Sequence, residues 1–341
     1  MSAGRRGSGE RSGRILVTGA AGFIGSHLCE RLLEDGYRIW GLDNFDPYYD
    51  PEIKRRNLEV AARSNAFRLV EGDVRDEVLL EGLFSDIPFD AVVHLAARPG
   101  VQASFGNARE VVRTNIGGTT ELLDAMRRHK VLRLIFASSA SVYDGSDDLP
   151  PYSEQQQVPL PRSPYAATKL AGEFLCHASH YSWKLSVCCL RMFSVYGPRQ
   201  RPDLAVHKFA RWIDEGEAIS IHGTGSSGRD YTYVGDVVEA HARILDRLQA
   251  DTGNDAAFSV LNVGTGQAVT TTDLVEAISR TLEKPSRIRS LPGRGDGEST
   301  SFADTTRIMA QLKFVPSVVL DDGLRDFVEW LQAETDYSGA I

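Results

Sequence analysis

No run of about 18 apolar residues occurs in the 341-residue chain, so a membrane-spanning helix is not expected. Cysteine is scarce as well. The four thiols, Cys29, Cys176, Cys188 and Cys189, have no metal-ligand spacing, which argues against a metal site and for free thiols in a reducing cytosol. Positive charge is the third deficit. Asp and Glu outnumber Lys and Arg by 46 to 38, a net charge of −8, whereas a general nucleic-acid binder needs a basic face. Any anionic ligand must then be held by local arginines. Residues 1–13 hold Gly, Ser and Arg without the apolar stretch of a signal peptide, and are read as a disordered tail. The expected location is the cytoplasm. At 42% hydrophobic and 25% charged, the remainder is an ordinary globular composition, long enough for one large or two modest domains.

What is present is organised around Thr18-Gly19-Ala20-Ala21-Gly22-Phe23-Ile24-Gly25. Arg14–Val17 before it reads as a buried strand, and Phe23, Ile24, Leu28 and Leu32 after it recur at helical spacing. The three glycines then serve a tight turn, close approach of backbone to a phosphate, and close helix–strand packing. Backbone N–H groups at that helix start suit a dinucleotide pyrophosphate. The next strand, Arg38–Leu42, ends at Asp43-Asn44, 18 positions past Gly25, where a carboxylate takes ribose hydroxyls and repels a 2′-phosphate. NAD is therefore expected rather than NADP.

Further strands are expected at 67–71, 90–97, 132–137 and 185–190, with helices at 52–62, 107–129 and from Pro164. The alternation specifies a Rossmann-type, doubly wound parallel α/β sheet over 14–190, with part of 229–262 returning to it. Residues 191–341 are read mainly as a smaller α/β substrate-binding region closing over the sheet's carboxyl edge. Asp73-Val74 follows the third strand; Asp73 is either an adenine ligand or a helix N-cap. His94 is read as a satisfied core histidine, and Asn115 as a residue that orders backbone. Small Ala96 and Ala97 let backbone approach a flat cofactor, with Leu95 before them also placed beside it. Ser139 ends the fifth strand, where ligands of open α/β sheets sit.

Tyr165 and Lys169 stand four apart on the helix from Pro164, so phenol and ammonium share one face. A free phenol, with a pKa of ~10, is about 0.1% ionised at neutral pH; use as a base requires ~3 units of help, about 4 kcal/mol. Lys169 and the positive nicotinamide of NAD⁺ both push that way, with Ser139 completing the hydrogen-bond network.

Together, TGAAGFIG, Asp43, Ser139 and the Tyr165/Lys169 pair resemble the extended short-chain dehydrogenase/reductase family, over residues 14 to about 330. Arg229-Asp230-Tyr231-Thr232-Tyr233-Val234-Gly235-Asp236 and Pro292-Gly293-Arg294-Gly295-Asp296 resemble its nucleotide-sugar epimerase and dehydratase branch. That resemblance implies a homodimer, a diphosphate held by Arg229 and Arg294, Tyr231 and Asp296 beside the substrate, and Phe193 beside the cofactor. Dehydratases of the branch carry an Asp-Glu pair after the strand-end serine, and decarboxylases a glutamate; here Ala140-Ser141 stand there. The implied reaction is 4-epimerisation. Tyr165 takes the 4-hydroxyl proton, NAD⁺ accepts hydride from carbon 4, and the ketone turns before hydride returns.

Three stretches look most like UDP-glucuronate 4-epimerases: Asp43–Asp50, His94–Val101 and Tyr196–Asp203. The implied substrate is UDP-glucuronate, its carboxylate forked by Arg201 with Ser141 and the backbone near Pro99 and Val101 as helpers. Arg199 and Arg201 could instead meet diphosphate or a partner subunit. Ser194 replaces an asparagine common in UDP-galactose epimerases, and His207-Lys208-Phe209 is placed near uracil. Asp144 stands where the family usually has Gly. The alternatives are a UDP-glucose/UDP-galactose 4-epimerase, a decarboxylase or dehydratase, and a non-catalytic NAD-binding protein.

Overall fold

The computed structural model describes residues 13–146, 148–250, 256–292 and 299–339. Seven strands form the central sheet: β1 (Arg14–Thr18), β2 (Arg38–Asp43), β3 (Phe67–Glu71), β4 (Ala91–His94), β5 (Arg133–Ser139), β6 (Ser186–Met192) and β7 (Phe258–Val263). All pairings are parallel, in the order β7-β6-β5-β4-β1-β2-β3. Parallel neighbours require crossovers that cover both faces, hence the near-continuous apolar runs of β1, β4 and β6.

Helices α1 (Phe23–Glu34), α2 (Glu77–Asp86), α3 (Thr119–Arg128), α4 (Pro164–Trp183) and α6 (Val234–Ala250) supply that cover. Leu28 and Leu32 of α1 join Val237 and Leu245 of α6 in one core; Leu80, Leu122, Met126 and Cys176 of α2, α3 and α4 belong to the other. Helices α5 (Ala205–Asp214), α7 (Thr271–Leu282) and α8 (Leu320–Gly339) build a separate core around Ile213, Ile278 and Phe327. The strand order turns between β1 and β4, and carboxyl strand ends there open onto a crevice.

Three elements depart from the expectations. The strand expected over 90–97 stops at His94, because its neighbour β1 ends at Thr18, whose carbonyl and hydroxyl take the amides of Leu95 and Ala96. Residues beyond His94 are thereby released to line the crevice. The helix expected over 107–129 is interrupted by a π turn, Arg113–Gly118. Gly118 meets Val74 so closely that an added Cβ would lie 2.5 Å from its Cγ1, and the wide turn sets Thr114 on the crevice. The segment 52–62 breaks at Leu58 into two short helices, with Asn57 donating to the carbonyl of Ala21 at 3.0 Å.

Candidate active site

The glycine turn sits where β1 hands over to α1. Gly19 adopts φ +71°, and a Cβ on Gly25 would fall 2.1 Å from the carbonyl oxygen of Gly19, so α1 can start there only with glycine. No side chain caps α1 and its first turn has no acid, which leaves its leading amides for an anion. Asp43, buried at the end of β2, accepts from the amides of Ala21 at 3.0 Å and Phe45 at 2.9 Å. This cradle fits a dinucleotide, with the turn for the diphosphate and the carboxylate for the ribose.

One cleft brings together Gly19, Gly22, Phe23, Ile24, Gly25, Asp43, Asn44, Asp73, Val74, Leu95, Ala96, Ala97, Pro99, Tyr165, Lys169 and Arg201. Asp73 does not cap a helix; α2 is capped by Asp76, which accepts from Leu79 at 3.0 Å. Asp73 instead accepts from the Arg75 guanidinium twice, from the Arg75 amide and from Asn44, contacts that hold its carboxyl down at about 2. His94 lies beneath the cleft floor between Thr18 at 2.7 Å and Thr119 at 3.0 Å, and burial lowers its pKa to about 3. Asn115 orders backbone: it accepts from the Arg98 amide and donates to the Arg98 carbonyl and to Thr168.

Ser163 caps α4 by accepting from Ala166, and α4 then presents Tyr165 and Lys169. Lys169 Nζ donates to the Ala137 carbonyl at 2.7 Å and stands 5.8 Å from the Tyr165 ring centroid. Ser139, the last residue of β5, acts on the Tyr165 phenol. Burial pushes Tyr165 up, while the Ser139 hydrogen bond and the charge of Arg201 pull it down. Burial likewise lowers Lys169 to about 8.

Several expected ligands lie elsewhere. Met192, not Phe193, faces the cleft, because alternate residues of a strand end point to opposite sides; Phe193 packs with Val142, Tyr143 and Ala303. Arg199 pairs with Glu30 of α1 at 2.8 Å, beside His27, and does not line the cleft. His207 turns inward on α5, bonded to the Gln200 carbonyl at 2.8 Å and set edge-on to Phe327 and Trp330. Its side chain is therefore structural. Lys208 is exposed with its ammonium 5.1 Å from the Trp212 ring, and Phe209 packs beside the same indole. Val101 begins a short helix just outside the cleft lining.

Ser194 and Tyr231 are opposite each other in a short parallel ladder, and Arg229 next to it donates to the carbonyls of Gly228 and Ser299. Asp144 takes an ordinary extended conformation, and Gly145 makes the left-handed turn one residue later at φ +94°; burial raises the Asp144 carboxyl against the opposing charges of Arg229 and Arg162. Arg294 and Asp296 lie outside the described residues.

Sequence reasoning missed Asp46, Tyr48, Tyr49, Lys54, Arg98 and Ser138, all of which line the cleft. Arg98 forks Asp46 at 2.9 and 3.1 Å, and Tyr48 donates to Asp203, the partner of Arg201. Tyr48 and Tyr49 are visible in the sequence as an aromatic pair in a turn-rich loop, but nothing there says which way the loop folds. Among the described residues no group of His, Cys, Asp and Glu could hold a metal ion, and all four cysteines are free and buried.

The chain as a whole is similar to known proteins. Residues 15–264 match the NAD dependent epimerase/dehydratase family. The chain belongs to that family. Among its members, UDP-glucuronate 4-epimerase 3 of Arabidopsis thaliana is 40% identical over 330 residues, covering 93% of this chain and 76% of the relative. The crystal structure of UDP-glucuronic acid 4-epimerase from Bacillus cereus, in complex with UDP-glucuronic acid and NAD, superposes with a TM-score of 0.85 at 34% identity, covering 94% of this chain and 99% of that one. UDP-glucose 4-epimerase from Thermotoga maritima, with UDP-glucose, gives 0.84 at 31% identity and the same coverage. The family fold and this chain's seven-stranded parallel sheet are the same architecture.

Proposed function

We propose that this protein is an NAD-dependent UDP-glucuronate 4-epimerase, forming UDP-galacturonate through a transient 4-keto sugar. The observation that carries this reading is the position of Arg201. Its guanidinium shares a cleft and a mutual electrostatic influence with the Tyr165 phenol, so one group holds a carboxylate where the other works on the ring. Asp203 takes the Nε edge of that guanidinium, and its remaining N–H groups offer charge-assisted bonds that hold a carboxylate more strongly than the hydroxyls of a neutral hexose. Ser141 is a further donor for the acid group in this reading: its Oγ is buried with no partner among the described residues, though it stands behind the cleft wall and not in its lining.

The cofactor is held by the Gly19–Gly25 turn, Asp43, Asn44 and Asp73, and supplies the hydride acceptor and donor when bound. Tyr165 accepts the proton of the 4-hydroxyl and returns it after the ketone has turned. Ser139 steadies the phenol oxygen during both transfers. Arg201 and Ser141 fix the acid group, which also keeps a β-keto acid out of the geometry that loses carbon dioxide. Arg229 and the segment containing Arg294 and Asp296 receive the diphosphate. Residues 14–190 with part of 229–262 form the cofactor half, and 191–341 mainly the sugar half.

A homodimer in the cytoplasm completes the proposal. Phe174 and Tyr181, one heptad apart on α4, are 64% and 81% exposed, and Phe105 and Val112 are exposed on the helices before the π turn. Such an apolar helical face suits a second copy.

Incubation with UDP-glucuronate is the direct test. Conversion to UDP-galacturonate without carbon dioxide or net NADH is expected. Carbon dioxide release would make the protein a decarboxylase, and much faster turnover of UDP-glucose would reassign the sugar.

A further inference from the structure

Behind Tyr165 and Lys169, the same face of α4 carries Glu173, four residues on. Its carboxylate is buried and fully committed. Oε1 accepts from Arg191 Nε at 2.9 Å and Oε2 from the guanidinium's second arm at 2.7 Å, while Ser138 donates to Oε1. Lys169 donates to the carbonyl of Ala137, the residue before Ser138. Ammonium and carboxylate therefore flank one peptide at the end of β5.

We propose that Glu173 is a positioning residue of the active site: paired by Arg191, it serves as the buried counter-charge that keeps Lys169 an ammonium beside Tyr165. The inference rests on the reading of Tyr165 as the proton acceptor, but not on the identity of the sugar.

The surroundings leave Glu173 this role. Lys169 is faced on its own helix by Tyr165, Glu173 and Cys176, on β5 by the Phe136 ring, and on β4 by the neutral His94. Glu173 is faced by Ser138 on β5 and by Arg191 on β6, while Cys189 of β6 feels its charge. A buried ammonium without a carboxylate nearby loses its proton. Lys169, Arg191 and Glu173 together carry one positive charge in excess, which favours the phenolate at Tyr165. The other buried phenol beside this set, Tyr143, accepts from Arg191 and donates to Asn262, and burial pushes its pKa up to about 12.

The test uses Glu173→Gln, which preserves shape and removes charge. The double variant Glu173→Gln/Arg191→Met is made beside it, to avoid an unpaired buried guanidinium. Lysine Cε signals of the ¹³C-labelled protein, assigned with Lys169→Met, report the titration of Lys169 directly. A midpoint lower by about one unit or more is expected in Glu173→Gln, and a smaller drop in the double variant, which loses the Arg191 charge along with the carboxylate, with the alkaline limb of the kcat/KM profile moving down in step. A folded variant whose Lys169 midpoint matches the wild type, with only its melting temperature reduced, would overturn the proposal. Failure of the wild type to epimerise UDP-glucuronate would strike the substrate reading alone, since the lysine titration needs no substrate.

Discussion

Arg199 and Arg201 are two residues apart and serve opposite sides of their loop. Arg199, with φ +63°, turns to Glu30 on α1, while Arg201 is forked onto Asp203 at 2.9 and 3.1 Å and faces Tyr165 across the cleft. The left-handed backbone at Arg199 itself is what turns apart two guanidiniums that look alike in the sequence.

Arg201→Ala is expected to raise the KM for UDP-glucuronate by about 10-fold or more, the range of a charge-assisted hydrogen bond, and to alter UDP-glucose far less. Arg199→Ala is expected to lower the melting temperature without selecting between the sugars. Steady-state kinetics on both substrates checks the pair; equal effects of Arg201→Ala on the two sugars would assign it to diphosphate.

Tyr165→Phe should cut kcat by about 10²–10⁴-fold with NAD retained. Burial raises the phenol and the Ser139 hydrogen bond lowers it, so Ser139→Ala should move the acid limb of kcat/KM upward by about one pH unit. A limb that stays in place would remove Ser139 from the proton path.

Gly25→Ala places a Cβ against the Gly19 carbonyl, and is expected to cost about 1–3 kcal/mol of stability and to weaken NAD retention. Gly82→Ala is the control, because nothing lies within 4 Å of its added Cβ and α2 gains a better helix former. Thermal melting with and without added NAD separates them.

Stability should fall with acid before the carboxylates titrate. Burial depresses His94 to about 3 and His27 and His241 to about 4, against 6.5 in the unfolded chain. Below 6.5 the unfolded state takes protons that the folded state refuses, so stability present above 6.5 is lost as pH falls towards 4. The slope is about 1.4 kcal/mol per histidine per pH unit. Denaturant midpoints at pH 7 and pH 5 check this, and equal midpoints would contradict it.

The chain itself determined whatever follows from local pattern. Apolar strand runs, glycine spacing in TGAAGFIG and the four-residue interval between Tyr165 and Lys169 are short-range facts, and each predicts its element because 2.0 and 3.6 residue periods are set by the backbone. The tertiary structure decided what depends on facing surfaces. That β4 ends at His94 rests on where β1 stops, and the π turn rests on how closely Val74 approaches Gly118. Met192 rather than Phe193, Arg201 rather than Arg199, and the bond from Tyr48 to Asp203 are choices between neighbours of similar chemistry. A sequence carries no preference among such neighbours until packing fixes which side of a loop or strand end turns to the cleft.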